Sequence, residues 1–310
     1  MIRLACMFPG QGSQSIGMLK SLSESDALIQ EIFQTAQNVL GIDYWDMVQN
    51  GPETALNDTL NTQVVMLIAD VALYRYLRQH GMPQAEMMAG HSLGEYAALV
   101  CADAISFEDA LKLVKKRAQL MQQAVQGVDG AMAAIIGLTD EDVRKICDKI
   151  AASHPNMVIS PANFNAQGQV VIAGHKVLVE QAIAEFEQMG ARMAKMIPVS
   201  VPCHCDLMKP AAADFLNELA QYHFKKPACK VISNVDLSIY ESADDIRRLL
   251  AEQLYKPVRW TDTLALFVDE GIEACIECGP GKVLSGLAKR TVPGLKNMFC
   301  YEPQHLPVWE

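Results

Sequence analysis

The stretch EMMAGHSLGEYAALVCA, residues 86–102, constrains the fold of this chain more than any other. It starts as a short apolar run suited to a buried strand and continues as a run suited to a packed helix. The change falls on Ser92, which has Gly90 and Gly94 two positions away on either side. Small residues there let a strand turn sharply into a helix and leave the serine hydroxyl exposed above the helix N-terminus. The G-x-S-x-G spacing alone recurs by chance, and its strand-then-helix context is what points to a nucleophile. The competing reading is a tight turn in which Ser92 only caps its helix.

The same strand–turn–helix rhythm appears elsewhere. IRLACMF predicts a first strand, followed by the turn-rich PGQGSQ. Apolar spacing predicts helices over 24–40 and 62–79, closed by Gly41 and Gly81, and over 106–126 with Ser106 as N-cap. ACIECGPG leading into KVLSGLAKR repeats the unit near the C-terminus. Strands alternating with helices predict an α/β fold on a parallel sheet. Between Gly127 and Pro198 the pattern changes to β-α-β-β-α-β, the split-βαβ or ferredoxin-like order. The expected organisation is a large catalytic α/β domain of residues 1–127 and 199–310, carrying an inserted ferredoxin-like small domain of residues 128–198. Gly127, Gly130, Pro198 and Pro202 mark the expected hinges.

Composition excludes several function classes. A formal net charge of −10 over 310 residues argues against nucleic acid as a partner. No apolar run reaches the roughly 18 residues of a membrane span, and VVMLIADVALYRYL is interrupted by Asp70 and Arg75. Arg3 precedes only LACMF before Pro-Gly, unlike a secretion signal, so a soluble, cytoplasmic protein is expected. The nine cysteines are odd in number and scattered, which predicts reduced thiols. Cys275 and Cys278 lie in an apparent strand, where a spacing of three points them to opposite faces. Cys203 and Cys205 bracket His204 without a second ligand pair, so no metal is expected. Lys112, Lys115, Lys116 and Arg117, or Lys282, Lys289 and Arg290, are candidates for a patch facing an acidic partner. Most of them read better as solvated helix faces.

A nucleophilic serine needs a base. His80, His154 and His175 fall at helix ends or turns, and His223 and His305 in polar loops. His91 adjoins Ser92 and is expected to point away from it. His204, in VSVPCHCDLM at the exit of the insertion, is the favoured general base, since such a junction borders a cleft. The glycine loops carry no nucleotide site. FPGQGSQSIG has G-x-G-x-x-x-x-G spacing, and GPGK lacks both the leading glycine and the Ser/Thr of a P-loop. The first loop instead offers a backbone N–H near Gln11 to an oxyanion, beside the Leu93 N–H at the helix start.

Six motifs in order span nearly the whole chain: FPGQGSQ, GHSLGEY, NFN at 163–165 with QVVIAG, VSVPCHC, QLYKPVRW and GPGKVLSGL. In this the chain resembles the malonyl-CoA:acyl carrier protein transacylases of bacterial fatty acid synthesis. The resemblance implies an α/β-hydrolase-like large domain with a ferredoxin-like insertion, and a role for each matching residue. Ser92 is the nucleophile, His204 its base, and Gln253 orients the imidazole through its main-chain carbonyl in place of a triad aspartate. The Gln11 and Leu93 N–H groups form the oxyanion hole. Arg117 binds the malonyl carboxylate, for which a guanidinium fork suits a dry pocket, and Met121 and Asn163 lie near the acyl cleft. The implied reaction is ping-pong transfer from malonyl-CoA to the phosphopantetheine thiol of holo acyl carrier protein, by a monomer without metal or redox cofactor. One departure is Cys203, where the fatty acid synthesis members usually carry serine before the histidine. It bears on acyl preference, and the motifs are shared with acyltransferases of polyketide synthesis. The rival readings are a serine hydrolase, which shares the elbow and base, and a non-catalytic binding module, which intact Ser92 and His204 oppose.

Overall fold

Strand β1 (Leu4–Phe8) is buried at every position, as its unbroken apolar sequence requires for the centre of a parallel sheet. The computed structural model describes residues 2–199 and 201–309, so Ser200 of the VSVPCHC motif lies outside the described residues. The further strands are β2 (Met87–Gly90), β3 (Gly130–Ile136), β4 (Ile159–Ala166), β5 (Gln169–His175), β6 (Met193–Ile197), β7 (Lys230–Ile232), β8 (Ala274–Glu277) and β9 (Lys296–Phe299). They form two separate sheets. One is parallel, in the order β7-β2-β1-β8-β9, and the other antiparallel, in the order β4-β5-β3-β6. The expected α/β class with a parallel sheet therefore holds, with the antiparallel sheet built wholly from residues 130–197.

The helix Thr59–Gln79 runs through the main core, and every position from Val64 to Ala69 is buried. A helix apolar on all sides belongs inside a protein, and here it packs on the helices Leu28–Leu40 and Phe107–Ala124. Each fully buried Leu, Ile or Phe of this cluster stabilises the fold by about 1.5–3 kcal/mol. The antiparallel sheet has its own core, in which Val143, Ile150 and Phe186 of its two helices meet Ile172 and Val170.

Two details differ from the sequence expectation. The helix expected over 24–40 is two helices, Lys20–Ser25 and Leu28–Leu40, because the Asp26 carboxylate accepts the Leu28 N–H at 2.9 Å and the Asp26 backbone is extended. The short strands β7 and β9 were not anticipated. Neither has the length or alternation that marks a strand in isolation, and each forms by adding to the edge of a sheet that already exists.

Gly127 has φ 82°, a left-handed value that suits glycine. A Cβ on Gly130 would meet the Pro202 ring at 2.5 Å, so the two chain crossings between the sheets lie against one another. The sheets are tied a second time through Val258. Its N–H donates to Ala162 O and its carbonyl accepts from Phe164 N, each at 2.9 Å. A cavity of about 730 Å³ lies between these ties, bordered by β3, β5 and β6 on one side and by the loops after β1 and β2 on the other.

Candidate active site

The C-terminal ends of three adjacent parallel strands meet at the cavity: β1 leads to Gln11, β2 to Ser92 and β7 to Asn234. Sites at this edge are usual in open α/β sheets, because the loops there converge while the strands hold them rigid. Ser92 sits at φ 52°, a strained value for a residue with a side chain. The neighbouring glycines are sterically required. A Cβ on Gly90 would come within 1.8 Å of the Gly94 carbonyl carbon, and one on Gly94 within 2.0 Å of Phe8 O. Asn234 clamps the turn from both sides. Its Oδ1 accepts the Ser92 N–H, and its Nδ2 donates to Gly90 O, each at 2.7 Å.

Ser92 Oγ lies 2.8 Å from His204 Nε2, and His204 Nδ1 lies 2.7 Å from the main-chain oxygen of Gln253. A carbonyl only accepts, so Nδ1 carries the hydrogen and Nε2 presents its lone pair to the serine. Burial and then the Arg117 cation lower His204 from the ordinary imidazole value to about 3. The imidazole is therefore neutral through the physiological range. His204 adopts φ 61° and is held by its N–H to Leu254 O at 2.9 Å.

Arg117, from the helix Phe107–Ala124, is 1% exposed and turns inward, away from the lysines beside it in sequence. Its Nη1 donates to Gln63 Oε1 at 2.6 Å and its Nη2 to Gln253 Oε1 at 3.0 Å, while Nη2 also approaches Ser92 Oγ at 3.4 Å. Its guanidinium carbon lies 5.4 Å from the centre of the Tyr96 ring. Read from its helix alone, Arg117 resembles a solvated cation; the fold buries it beside Ser92.

Gln11 and Leu93 both line the cavity. Among the described residues neither backbone N–H donates to another group of the chain. A Cβ on Gly10 would fall 2.5 Å from His91 O and 3.7 Å from Leu93 N, so the first loop lies directly on the elbow. Asn163 lines the cavity from β4. Met121 is fully buried one layer back and reaches the site only through its sulfur, to which Gln63 Nε2 donates at 3.7 Å. Cys203 also lines the cavity, and burial pushes its thiol up to about 11. His91 points away from Ser92, with Nε2 at 2.8 Å from Asn165 Oδ1 and its ring edge-on to Trp260.

Sequence reasoning missed Gln63, Glu95, Asn234 and Tyr240. Gln63 and Glu95 had a usable signal, since each is a polar residue inside an apolar helical run. Asn234 follows a strand too short to have been anticipated. All nine cysteines are free, and no group of three or more His, Cys, Asp or Glu is placed to hold a metal among the described residues. No helix there is long and apolar enough to cross a membrane.

A neutral histidine on an elbow serine, with two unengaged N–H groups beside them, is the constellation of an acyl-transfer centre. The chain belongs to the acyl transferase domain family, which matches residues 6–301. It is 49% identical over 303 residues to the malonyl CoA-acyl carrier protein transacylase of Escherichia coli K12, covering 98% of this chain and 97% of that one. It is 37% identical over 290 residues to the enzyme of the same name from Staphylococcus aureus MRSA252, covering 94% and 92%. Among solved structures, a malonyl-transacylase in complex with the acyl carrier protein of a type II polyketide synthase superposes with TM-score 0.95. It shares 45% identity, with 98% and 97% of the two chains covered. The malonyl CoA-acyl carrier protein transacylase of Coxiella burnetii also superposes with TM-score 0.95, at 44% identity and 98% and 96% coverage.

Proposed function

We propose that this chain transfers a malonyl group from malonyl-CoA to the phosphopantetheine thiol of holo acyl carrier protein, through an ester on Ser92. The observation that carries the reading is a buried arginine fork 3.4 Å from the nucleophilic hydroxyl. A hydrolase of neutral acyl groups gains nothing from a desolvated cation there, whereas an acyl chain ending in a carboxylate needs one.

In the first half-reaction Ser92 Oγ attacks the thioester carbonyl while its proton passes to His204 Nε2. The carbonyl oxygen becomes an oxyanion, received by the Gln11 and Leu93 N–H groups. When the intermediate collapses the carbon–sulfur bond breaks, His204 returns the proton to the thiolate, and CoA leaves as a thiol. The second half runs in reverse with the carrier thiol as nucleophile. Thioester and ester are close enough in energy that no metal or redox cofactor is required. Gln253 O holds the imidazole hydrogen on Nδ1 as a triad aspartate would, without adding a negative charge beside Arg117. Asn163 borders the acyl group, and Met121 supports Gln63 behind it.

An α/β-hydrolase-like large domain, 1–127 and 199–310, carries a ferredoxin-like insertion, 128–198, supported by the β-α-β-β-α-β order of residues 130–197. The chain is read as a cytoplasmic monomer. The test is intact-protein mass after brief incubation with malonyl-CoA, then addition of holo carrier. The expected result is one malonyl group gained, absent in Ser92→Ala, and discharged onto the carrier. Rapid release of free malonate without a lasting adduct would make water the acceptor and overturn the reading.

A further inference from the structure

The buried carboxylate of Glu95 lies beneath the elbow, on the helix Gly94–Cys101 that follows the nucleophile. Its Oε1 accepts from the Tyr240 hydroxyl. Its Oε2 accepts from Gln253 Nε2 at 2.6 Å and from Asn234 N at 3.3 Å. It reaches no substrate-facing atom, and the acyl-transfer steps make no use of it.

Gln253 is where this carboxylate meets the site. The two hydrogens of its amide nitrogen go to Glu95 Oε2 and to Ser92 O, the latter at 2.9 Å. Both acceptors sit at the same end of the amide, so the nitrogen must face them and Oε1 must face Arg117. An amide turned the other way would aim N–H groups at a guanidinium that has no acceptor. Glu95 thus decides which end of Gln253 Arg117 meets.

Charge gives a second reason. Both terminal nitrogens of Arg117 are held by neutral amide oxygens, Gln63 Oε1 and Gln253 Oε1. A carboxylate in direct contact would occupy the fork and compete with an incoming acid. Glu95 stands one hydrogen bond further away, close enough to interact electrostatically with Arg117 and too far to block it.

We infer that Glu95 is a positioning residue for diacid selectivity: by orienting the Gln253 amide it holds Arg117 aimed at, and open to, the distal carboxylate of the acyl group. The inference rests on the malonyl-transfer reading above.

The test compares kcat/KM for malonyl-CoA and acetyl-CoA, with holo carrier as acceptor, in wild type, Glu95→Gln, Arg117→Ala and the double variant. Wild-type loading of malonyl onto the carrier checks the functional reading itself, and its failure would be separate from any variant effect. Glu95→Gln is expected to lower the malonyl-to-acetyl ratio about tenfold, through a raised KM for malonyl-CoA. In the Arg117→Ala background the same substitution is expected to leave the ratio where Arg117→Ala put it. Tyr240→Phe, which removes one donor to Glu95, is expected to move the ratio the same way by a smaller factor, and carries the test if Glu95→Gln does not fold. An equal loss for both substrates, no change in the ratio, or a Glu95 effect that persists without Arg117 would overturn the inference.

Discussion

Arg117→Ala tests the site most directly. In the native pocket the guanidinium is desolvated by the fold, so the proposed pairing with the malonyl carboxylate would be a buried, charge-assisted contact. Removing one side of such a pair costs about 2–5 kcal/mol. Here the change also leaves Gln63 Oε1 and Gln253 Oε1 aimed at the incoming carboxylate with no cation between them. We therefore expect a loss of about 3 kcal/mol in kcat/KM for malonyl-CoA, somewhat over two decades, while acetyl-CoA loses far less. A second consequence concerns pH. Arg117 is the second cause, after burial, of the low His204 value near 3. The base works deprotonated, so its activity is lost as pH falls through that value. Without Arg117 the value rises, and the acid limb of kcat/KM for acetyl-CoA moves to higher pH. Steady-state kinetics on both enzymes, carried from below pH 3 up to pH 8, measure both effects. Undiminished malonyl transfer, or equal losses on both substrates with an unmoved acid limb, would refute the reasoning.

Other expectations follow from the same geometry. Ser92→Ala should abolish both the adduct and the transfer, since no second hydroxyl stands within reach of His204 Nε2 among the described residues; intact mass and carrier loading read this together. Gly94→Ala should destabilise the protein by about 3 kcal/mol despite the better helix propensity of alanine, because its Cβ would fall 2.0 Å from Phe8 O; a denaturation midpoint no lower than wild type would contradict the elbow packing. Asp70 is fully buried with neither carboxylate oxygen partnered, and burial, reinforced by Glu277, raises its pKa well above the ordinary value. Its unfolded form ionises near 3.8 while the folded form stays protonated, so stability falls as pH rises above that value. Asp70→Asn should flatten this slope, measured as the unfolding free energy at pH 5 and pH 8; an unchanged slope would assign it to other groups.

What the sequence determined by itself was local. The glycines around Ser92 dictate a sharp strand-to-helix turn because any larger residue collides with backbone, and that collision depends on a few neighbouring positions and the adjoining strand. The β-α-β-β-α-β order of residues 130–197 was likewise legible, since strand and helix periods differ along the chain. His204 stood out as the favoured base from its place at the exit of the insertion, but the roles of Gln253 and Arg117 came from resemblance, because nothing in their own segments says what they face. His204 comes within 2.8 Å of Ser92 across a sequence separation of 112, by way of the whole antiparallel unit. Arg117 shares its helix with solvated lysines, and only packing against the helix Thr59–Gln79 selects it for burial. Asn234 and Tyr240 were invisible for a related reason, and Glu95 showed only as a polar residue in an apolar helix. Their chemistry exists only as a shared hydrogen-bond network, assembled where the ends of β2 and β7 meet the segment around Gln253. Short-range sterics can be read along a chain; which charges lose their water, and which partners replace it, is decided by contacts between segments far apart in sequence.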